Sequence, residues 1–503
     1  MILPRDASYD IVHYHLYNGW AFVNGTASGD LAPAEMHSFL NPYWQALVWQ
    51  ATQMLPGRLV AFIFGGLQGL ILPALYALTR RLLGPHGQAP RAVVVWSVTL
   101  AGFLCVGQFV MAASLRNDGL CALIFLASLL ALIPRHGGTP SPGMLAGASL
   151  LLGLSLGLKP TNAIYVAGFA IMALAIMPNW GLRGRAAIIC AVSGLFGTLV
   201  TGGPWAWHLW SEFGNPIFPI ANDVFAAPMG PDGGFRDERY LPSGILDAVV
   251  RPFLFLFDGE LVHEAGFFDP RFQMAYLAAP AILAMAASKS IQVPRGLVAL
   301  SLGLLALIAT WTAVFSISRY AIGVWMLGPV LAAAAITTWR PRILDGARPA
   351  LYVALSAGLL MVVTKPPHLR RLAWTTWTGP YVSVEVPQAD KYAGAVVAFS
   401  GDFPSAFTAP AFPESAILTH AVPAPWSTPA LAPYREIYIR PLLQGDRPVY
   451  GVILDTQGHF ERTVRRLASV ERLIVDVAAC ETLTTSLDSK TAVWRICPMA
   501  FAE

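Results

Sequence analysis

Three ionisable side chains lie at the ends of long apolar runs, where a charge needs a partner or water, and a fourth lies in the polar N-terminal segment. They are Asp10 in "SYDIVHYH", Asp118 in "SLRNDG", Lys159 in "GLKPTN" and Arg319 in "SRY". A charged group at membrane depth is costly unless it is paired or hydrated, so such residues are functional candidates. Two acids and two bases brought together suit a reaction that handles a hydroxyl and a phosphate, because a carboxylate can take a proton and cations stabilise a phosphate.

Three of these residues also fit a structural role. Asp118 precedes an apolar run and suits a helix N-cap, while Lys159 and Arg319 suit cations that extend from a helix end toward water. The neighbouring His13 and His15 are two positions apart and point to different faces of a helix, which argues against a shared metal ion. We count both as candidate substrate- or phosphate-binding residues and expect one of the two to face the site.

The composition predicts an integral membrane protein. Of the 503 residues, 55% are apolar and 12% are charged, against about 25% charged residues in a soluble domain. The mean hydropathy is +0.55. The net charge of +4 does not indicate a nucleic-acid partner, because the basic residues fall in short loops beside apolar segments and form no single patch.

Ten apolar segments are candidate membrane helices, because each approaches the roughly 20 residues that cross a bilayer. They are 57–83, 90–113, 118–134, 141–158, 161–178, 185–209, 272–288, 294–315, 319–338 and 348–364. Every second loop between them is basic. The basic residues of these loops are Arg80, Arg81, Arg91, Arg135, Arg183, Arg185, Lys289, Arg295, Arg340, Arg342 and Arg348. The positive-inside rule makes these loops cytoplasmic and the remaining regions external.

Three regions follow from this topology. Residues 1–56 form an external loop with interfacial helices, and 57–364 form a transmembrane domain with a large external loop at 210–271. Residues 365–503 form a small external α/β domain, because β-prone runs such as "GAVVAF", "SAILTH" and "PVYGVILD" alternate with the helical pattern "GHFERTVRRLAS". The predicted fold class is mainly α: a polytopic membrane helical bundle with a small C-terminal α/β domain. An external, polar N-terminal segment also leads us to expect a further helix upstream of Met1.

The cysteines divide into two groups. Cys105, Cys121 and Cys190 fall in apolar runs, where a buried, inert thiol is expected. Cys480 and Cys497 lie in the predicted external domain. On an oxidising side of the membrane they are expected to form a disulfide, and the alternative is a pair of free thiols.

Several segments resemble those of the GT-C class of membrane glycosyltransferases. They are "YDIVHYHLYNGWAFVNG", "GLKPTN", "WHLWSEFGNPIFP" and "SRYAIGVWML". With an acid in the first external loop, another in the second, many spans and a trailing external domain, most of residues 1–340 resembles a poorly characterised bacterial group of the polyprenyl-phosphate-sugar dependent type. The resemblance implies a multi-pass protein of the bacterial inner (plasma) membrane whose C-terminal domain lies on the periplasmic side.

The resemblance also implies roles for the candidate residues. A sugar linked to a polyprenyl phosphate would enter from the bilayer, and an acceptor hydroxyl would arrive from the external space. Asp10, which matches the first-loop acid, would be the general base. Asp118 would orient the acceptor or share a divalent cation, Mg or Mn, with Asp10. Lys159 and Arg319 would stabilise the leaving phosphate.

Two other functions remain open at the level of sequence. A transporter or flippase of lipid-linked sugar also needs cations near a phosphate, although internal repeats or broken helices are expected for it and no repeat is seen. A non-catalytic GT-C-like scaffold subunit of a membrane assembly would keep the fold without the reaction. The expected partners are a lipid-linked sugar donor and membrane lipids, and the sequence identifies no protein partner.

Overall fold

A computed structural model describes most of the chain. The residues outside the description are 1–4, 27–28, 85–90, 136–137, 289, 341–342, 344–346, 369–370, 373–377, 402, 404, 424, 426, 457, 488–491 and 503. Two of the loop cations that support the predicted topology, Lys289 and Arg342, therefore lie outside the described residues.

Helices form most of the chain up to residue 363, and most of the strands lie after that residue. The helices are α1 (Leu16–Asn24), α2 (Tyr43–Met54), α3 (Gly57–Gly69), α4 (Ile71–Leu83), α5 (Ala92–Phe103), α6 (Val106–Met111), α7 (Asp118–Leu132), α8 (Pro142–Leu158), α9 (Ala163–Ala175), α10 (Trp180–Phe213), α11 (Asn222–Phe225), α12 (Ile245–Phe257), α13 (Arg271–Ala287), α14 (Arg295–Val314), α15 (Ile322–Trp339), α16 (Ala347–Val363), α17 (Ala432–Tyr434), α18 (Arg440–Leu443) and α19 (His459–Glu471). The strands are β1 (Arg5–Asp6), β2 (Arg371–Leu372), β3 (Val384–Glu385), β4 (Val396–Ser400), β5 (Ile417–His420), β6 (Val449–Thr456), β7 (Leu473–Val475), β8 (Glu481–Thr485) and β9 (Ala492–Phe501).

The chain forms two compact units, each with its own hydrophobic core. Unit 1 contains Met1–Ile63, Pro204–Asp237 and Arg370–Glu503. Unit 2 contains Phe64–Gly203 and Glu238–Leu369. The chain therefore leaves unit 1, builds part of unit 2, and returns to unit 1 twice.

The predicted fold class is confirmed, because the protein is mainly helical, has several apolar helices of membrane length and ends in a mixed β-sheet. Each of the ten predicted spans contains a helix. Within the described residues, four segments are long and apolar enough to cross a bilayer: Gly57–Leu83, Trp180–Phe213, Arg295–Val314 and Ser318–Trp339. The other apolar helices in that part of the chain have 10–17 residues.

In unit 2 the helices pack in pairs. Helix α9 packs against α14, α13 against α15, and α7 against α8. Helix α15 is mostly buried, whereas α10 exposes large apolar side chains such as Ile188, Val192 and Phe196. A continuous apolar surface of this kind marks a membrane contact.

One predicted span, 90–113, is broken between α5 and α6. At the break, the backbone N–H of Val106 donates to Asp269 Oδ2 over 2.8 Å, and the Arg271 guanidinium donates to the Ala101 carbonyl. Asp269 and Arg271 are themselves paired, with 2.8 Å between Arg271 Nη1 and Asp269 Oδ1, and both are fully buried. A break in a buried helix leaves peptide groups without hydrogen-bond partners. Here this ion pair forms the hydrogen bonds that the missing helical turn would have formed.

Unit 1 is built around a mixed sheet with the order β3-β8-β9-β6-β4-β5, and β7 also pairs with β9. Strand β4 runs parallel to both β5 and β6, while β9 runs antiparallel to β6, β7 and β8. A disulfide joins Cys480, just before β8, to Cys497 in β9. It therefore links two neighbouring strands of the sheet.

The N-terminal segment belongs to the same unit as this sheet. Ile11, Val12 and His13 are buried, and their short π-helix packs against the turn Ala406–Ala411. Leu31 lies parallel to Thr419 at the β5 edge, and its N–H donates to Leu418 O over 2.8 Å. The segment thus covers an edge of the sheet that would otherwise present unpaired peptide groups.

Candidate functional site

Asp118 and Lys159 form a partly buried ion pair at one end of the helices of unit 2. Asp118 is the first residue of α7, and Lys159 directly follows α8. Lys159 Nζ lies 2.6 Å from Asp118 Oδ1, and the two side chains are 16% and 3% exposed. The N-cap of α7 is Asn117, so the N-cap role considered for Asp118 is wrong. Its carboxylate instead binds a cation 41 residues further along the chain.

Arg319 lies at the same end of the helices, just before α15. One of its guanidinium nitrogens is 3.6 Å from Glu264 Oε1. The guanidinium lies 5.4 Å from the centre of the Tyr320 ring, and Lys159 Nζ lies 5.3 Å from the same ring. Aromatic faces attract cations at such distances. Tyr320 therefore brings together two of the cations that the sequence proposed for phosphate binding.

Arg116 and Glu264 extend this charged cluster. Arg116 is 5% exposed, and both Arg116 and Arg319 exert their positive charge on Asp118. The cluster so defined holds three cations, Arg116, Lys159 and Arg319, and two carboxylates, Asp118 and Glu264. Lysine and arginine side chains at a partly buried site suit an anionic group such as a phosphate.

Of the two residues that extend the cluster, Arg116 and Glu264, only Arg116 could be recognised from the sequence. Arg116 lies in "SLRNDG", two residues before Asp118, and its charge was visible beside an apolar run. Glu264 lies in the long 210–271 connection, where nothing in the local pattern distinguishes it from other loop acids. Its contact with Arg319 depends on how that connection folds back onto α15.

A neutral histidine accompanies the cluster. His263, next to Glu264, is 8% exposed, and its Nδ1 lies within hydrogen-bond distance of the Ala265 backbone. Burial lowers the pKa of His263 below its ordinary value of 6.5, with the charge of Arg319 acting in the same direction and that of Glu264 opposing it. His263 therefore adds hydrogen-bonding capacity to the cluster at neutral pH without adding charge.

The remaining candidates, Asp10, His13 and His15, belong to unit 1. Asp10 is 6% exposed and immediately precedes the π-helix Ile11–His15. Both histidines are buried within unit 1. That one of the two faces the site stays a prediction. That Asp10 shares a cavity with Asp118 stays a prediction.

His13 has the environment of a neutral ring. It packs 4.9 Å from the Tyr9 ring and 5.1 Å from the His37 ring, measured between ring centres. Burial lowers the pKa of His13 well below 6.5, the nearby His37 and His420 lower it further, and Asp10 opposes the shift. A neutral imidazole can donate or accept a hydrogen bond, but it offers a phosphate no charge.

Within the described residues, no group of three or more His, Cys, Asp or Glu side chains lies close enough to hold a metal ion. A divalent cation shared by Asp10 and Asp118 would need ligands from both units. The divalent cation stays a prediction.

The fold and the charged cluster define a polytopic helical membrane protein with ionisable groups collected at one end of its helices. No protein-family model matches the chain, and no curated protein matches it. Among solved structures, it is similar to the crystal structure of ArnT from Cupriavidus metallidurans in the apo state, with 13% identity and a TM-score of 0.42. The match covers 98% of this chain and 94% of that one. At this level of similarity, a function for the chain must rest on its own side chains.

Proposed function

We propose that the protein is a membrane glycosyltransferase that moves a sugar from a polyprenyl-phosphate-linked donor to an acceptor hydroxyl on the external face. The observation that carries the proposal is the partly buried Asp118–Lys159 pair, with Arg319 sharing the Tyr320 ring beside it. Buried charges are retained where they are paired and useful. This group contains both kinds of side chain that the reaction needs: a carboxylate that can bind the acceptor hydroxyl, and cations that can bind the phosphate.

In the proposed reaction the acceptor oxygen forms a bond to the anomeric carbon while the bond from that carbon to the phosphate oxygen breaks. The leaving phosphate gains negative charge, which Lys159 and Arg319 stabilise, Arg319 through its planar donor fork. The proton of the acceptor hydroxyl passes to a carboxylate, for which Asp10 is the proposed base. Asp118 Oδ2 has no hydrogen-bond partner among the described residues, and its proposed role is to accept from the acceptor hydroxyl and orient it.

A transport function has less support. Its expected signature is a broken helix at the membrane midplane whose freed peptide groups bind the substrate. The α5–α6 break instead gives those groups to Asp269 and Arg271. Arg271 is the first residue of α13, so the break lies near a helix end.

Transfer is tested by reconstituting the purified protein in liposomes that contain a panel of radiolabelled polyprenyl-phosphate sugars, and by measuring the release of polyprenyl phosphate. Asp10→Asn should lower turnover by at least roughly 100-fold with donor binding little changed, because it removes the base and keeps the shape. Arg319→Ala should mainly weaken donor binding. Addition and removal of Mg²⁺ or Mn²⁺ in the same assay tests the proposed divalent cation.

Arg340→Ala is the matched control for Arg319→Ala. Both arginines stack on the aromatic residue beside them in sequence, Arg340 at 4.9 Å from the Trp339 ring and Arg319 at 5.4 Å from the Tyr320 ring. Arg340 follows the C-terminal end of α15 and Arg319 precedes its N-terminal end. Equal effects of the two substitutions would contradict phosphate binding by Arg319. Donor binding without any turnover would favour transport, and neither binding nor turnover would favour the scaffold.

A further inference from the structure

The two carboxylates of the charged cluster contact their cations in different ways. Lys159 Nζ lies 2.6 Å from Asp118 Oδ1, and the Asp118 side chain is 3% exposed. Arg319 Nη1 lies 3.6 Å from Glu264 Oε1, and the Glu264 side chain is 46% exposed. The first distance is that of a charge-assisted hydrogen bond, whereas the second is longer than a hydrogen bond. Asp118 is therefore held closely by its cation, and Glu264 forms a looser, half-exposed ion pair.

The backbone on both sides of Glu264 is fixed. Val262 is fully buried, and its carbonyl accepts from the N–H of Ser318 over 2.8 Å. Further along, Phe268 and Lys365 exchange two backbone hydrogen bonds, of 3.0 and 2.9 Å. Since the chain is anchored at these two points, Glu264 can leave its arginine by a change of side-chain rotamer. The half-exposed carboxylate can then be hydrated, so the movement buries no unpaired charge.

The proposed reaction makes release of the lipid product difficult at such a cluster. A phosphate that joins a sugar to a lipid is a phosphodiester and carries a single negative charge. After transfer of the sugar, the lipid carries a phosphate monoester, whose charge at pH 7 is about −1.5 to −2. The cations that stabilise the leaving phosphate, Lys159 and Arg319, therefore attract the product more strongly than the donor. A competing anion beside one of these cations would limit the affinity for the product.

We propose that Glu264 is this competing anion: it gives way to the donor phosphate at Arg319 and returns to Arg319 as the lipid phosphate leaves. The guanidinium has a planar donor fork that suits a carboxylate and a phosphate alike, so the two anions are alternatives for one cation. Asp118 stays bound to Lys159 throughout. This inference rests on the proposed function, because it takes the lipid phosphate to bind at the charged cluster.

The test measures binding of farnesyl phosphate, a short polyprenyl phosphate monoester, to the full-length protein in detergent. Glu264→Gln removes the competing charge and keeps the size of the side chain, so the variant should bind farnesyl phosphate at least about threefold more tightly than the unsubstituted protein. The gain should shrink at high salt, which screens a half-exposed charge. Farnesol, the uncharged lipid, should bind both proteins equally. Damage to the fold would weaken binding and cannot imitate this result.

Two further variants locate the effect at Arg319. Glu260→Gln removes an exposed carboxylate from the same connection, and as the matched control it should not tighten binding of farnesyl phosphate. In an Arg319→Ala background, Glu264→Gln should give no gain, because the guanidinium for which the two anions compete is absent. In the transfer assay, Glu264→Gln should lower the steady-state rate more than the rate of a single turnover, because product release becomes slower.

The outcomes separate this inference from the proposed function. If the unsubstituted protein bound farnesyl phosphate no better than farnesol, the cluster would not be a phosphate site, and the proposed function and this inference would fail together. If the phosphate were preferred but Glu264→Gln bound it no more tightly, only the competition by Glu264 would be wrong. An equal gain from Glu260→Gln, or an undiminished gain in the Arg319→Ala background, would also overturn that competition and leave the phosphate site standing.

Discussion

Asp30 is a buried carboxylate whose hydrogen-bond donors are neutral: the Tyr17 hydroxyl and the backbone N–H of Leu418. Burial raises the pKa of Asp30 from 3.8 to about 7, and these two hydrogen bonds oppose the shift. Between pH 4 and 7 the folded protein therefore holds a proton that the unfolded chain releases. Stability from this group is present at low pH and is lost as the pH rises toward 7.

Asp30→Asn should remove this pH dependence while keeping an acceptor for Tyr17. Relative to the unsubstituted protein, the variant should gain stability between pH 5 and pH 8, by at most about 3 kcal/mol at about 1.4 kcal/mol per pH unit. The measurement is thermal unfolding in detergent at both pH values. Asp446→Asn, at an exposed carboxylate of the same unit, is the control and should show no such trend. A constant difference between Asp30→Asn and the unsubstituted protein would show that Asp30 ionises at its ordinary pKa.

Residue type and apolar context were enough to select Asp118 and Lys159, because a charge beside a membrane segment stands out in any sequence. They could not select Asp30, whose neighbours in the chain form no apolar run. Asp30 is distinguished by its burial inside unit 1 and by a contact with a segment hundreds of residues away. The Leu418 N–H that contacts Asp30 is 388 residues distant.

The helix break between α5 and α6 depends on the Asp269–Arg271 pair, and its loss should destabilise unit 2. Asp269→Asn would leave the Arg271 guanidinium buried without its carboxylate, which typically lowers stability by about 3–5 kcal/mol. Unfolding in detergent should show a clear decrease for this variant. The double variant Asp269→Asn, Arg271→Met should recover part of the loss, since apolar replacement of a buried pair is often close to neutral.

Asp258→Asn provides the comparison, because Asp258 is an exposed carboxylate in the same long connection. It should change stability by less than about 0.5 kcal/mol. If Asp269→Asn were as mild as Asp258→Asn, the helix break would not depend on the charge of Asp269.

Apolar length alone was sufficient to locate a helix in each predicted span, because a membrane helix satisfies its own backbone groups and needs only apolar side chains. It was insufficient to place the break in 90–113. No proline or charged residue interrupts the run between Ala92 and Met111, and the residue that binds the freed Val106 N–H lies 163 positions later. In the C-terminal domain, the β-prone runs predicted strands β4, β5 and β6 but did not predict the short edge strand β3.

At the scale of the whole molecule, the sequence pattern predicted boundaries at residues 56 and 365. The two compact units of the structure instead combine segments that are distant in the chain. The N-terminal segment completes an edge of the C-terminal sheet within unit 1. Sequence patterns identify elements, but the pairing of Leu31 with the edge of β5 is a long-range event that local periodicity does not encode. The boundaries predicted for the three regions stay a prediction.

The two ends of the unit 2 helices differ in chemistry, and this difference predicts the orientation of the protein. Asp118 begins α7, whereas Arg81 donates to Ile133 O just beyond the other end of that helix, over 2.9 Å. A helix of 15 residues separates these ends by about 22 Å. The end with Asp118 holds the charged cluster, and the end with Arg81 and Arg135 holds basic loops, so the positive-inside rule predicts that the cluster lies outside.

Reporter fusions test this orientation in the living cell. A reporter that is active only outside the cytoplasm should be active when it is fused after Gly230 or Ser400 and silent when it is fused after Ser290 or Arg340, because the basic loops are retained in the cytoplasm. A cytoplasm-specific reporter at the same four positions is the control and should give the opposite result. The reverse pattern would place Asp118, Lys159 and Arg319 at the cytoplasmic face. A donor phosphate and an acceptor would then have to meet on that side, and the proposed external transfer would fail even if the charged cluster bound phosphate.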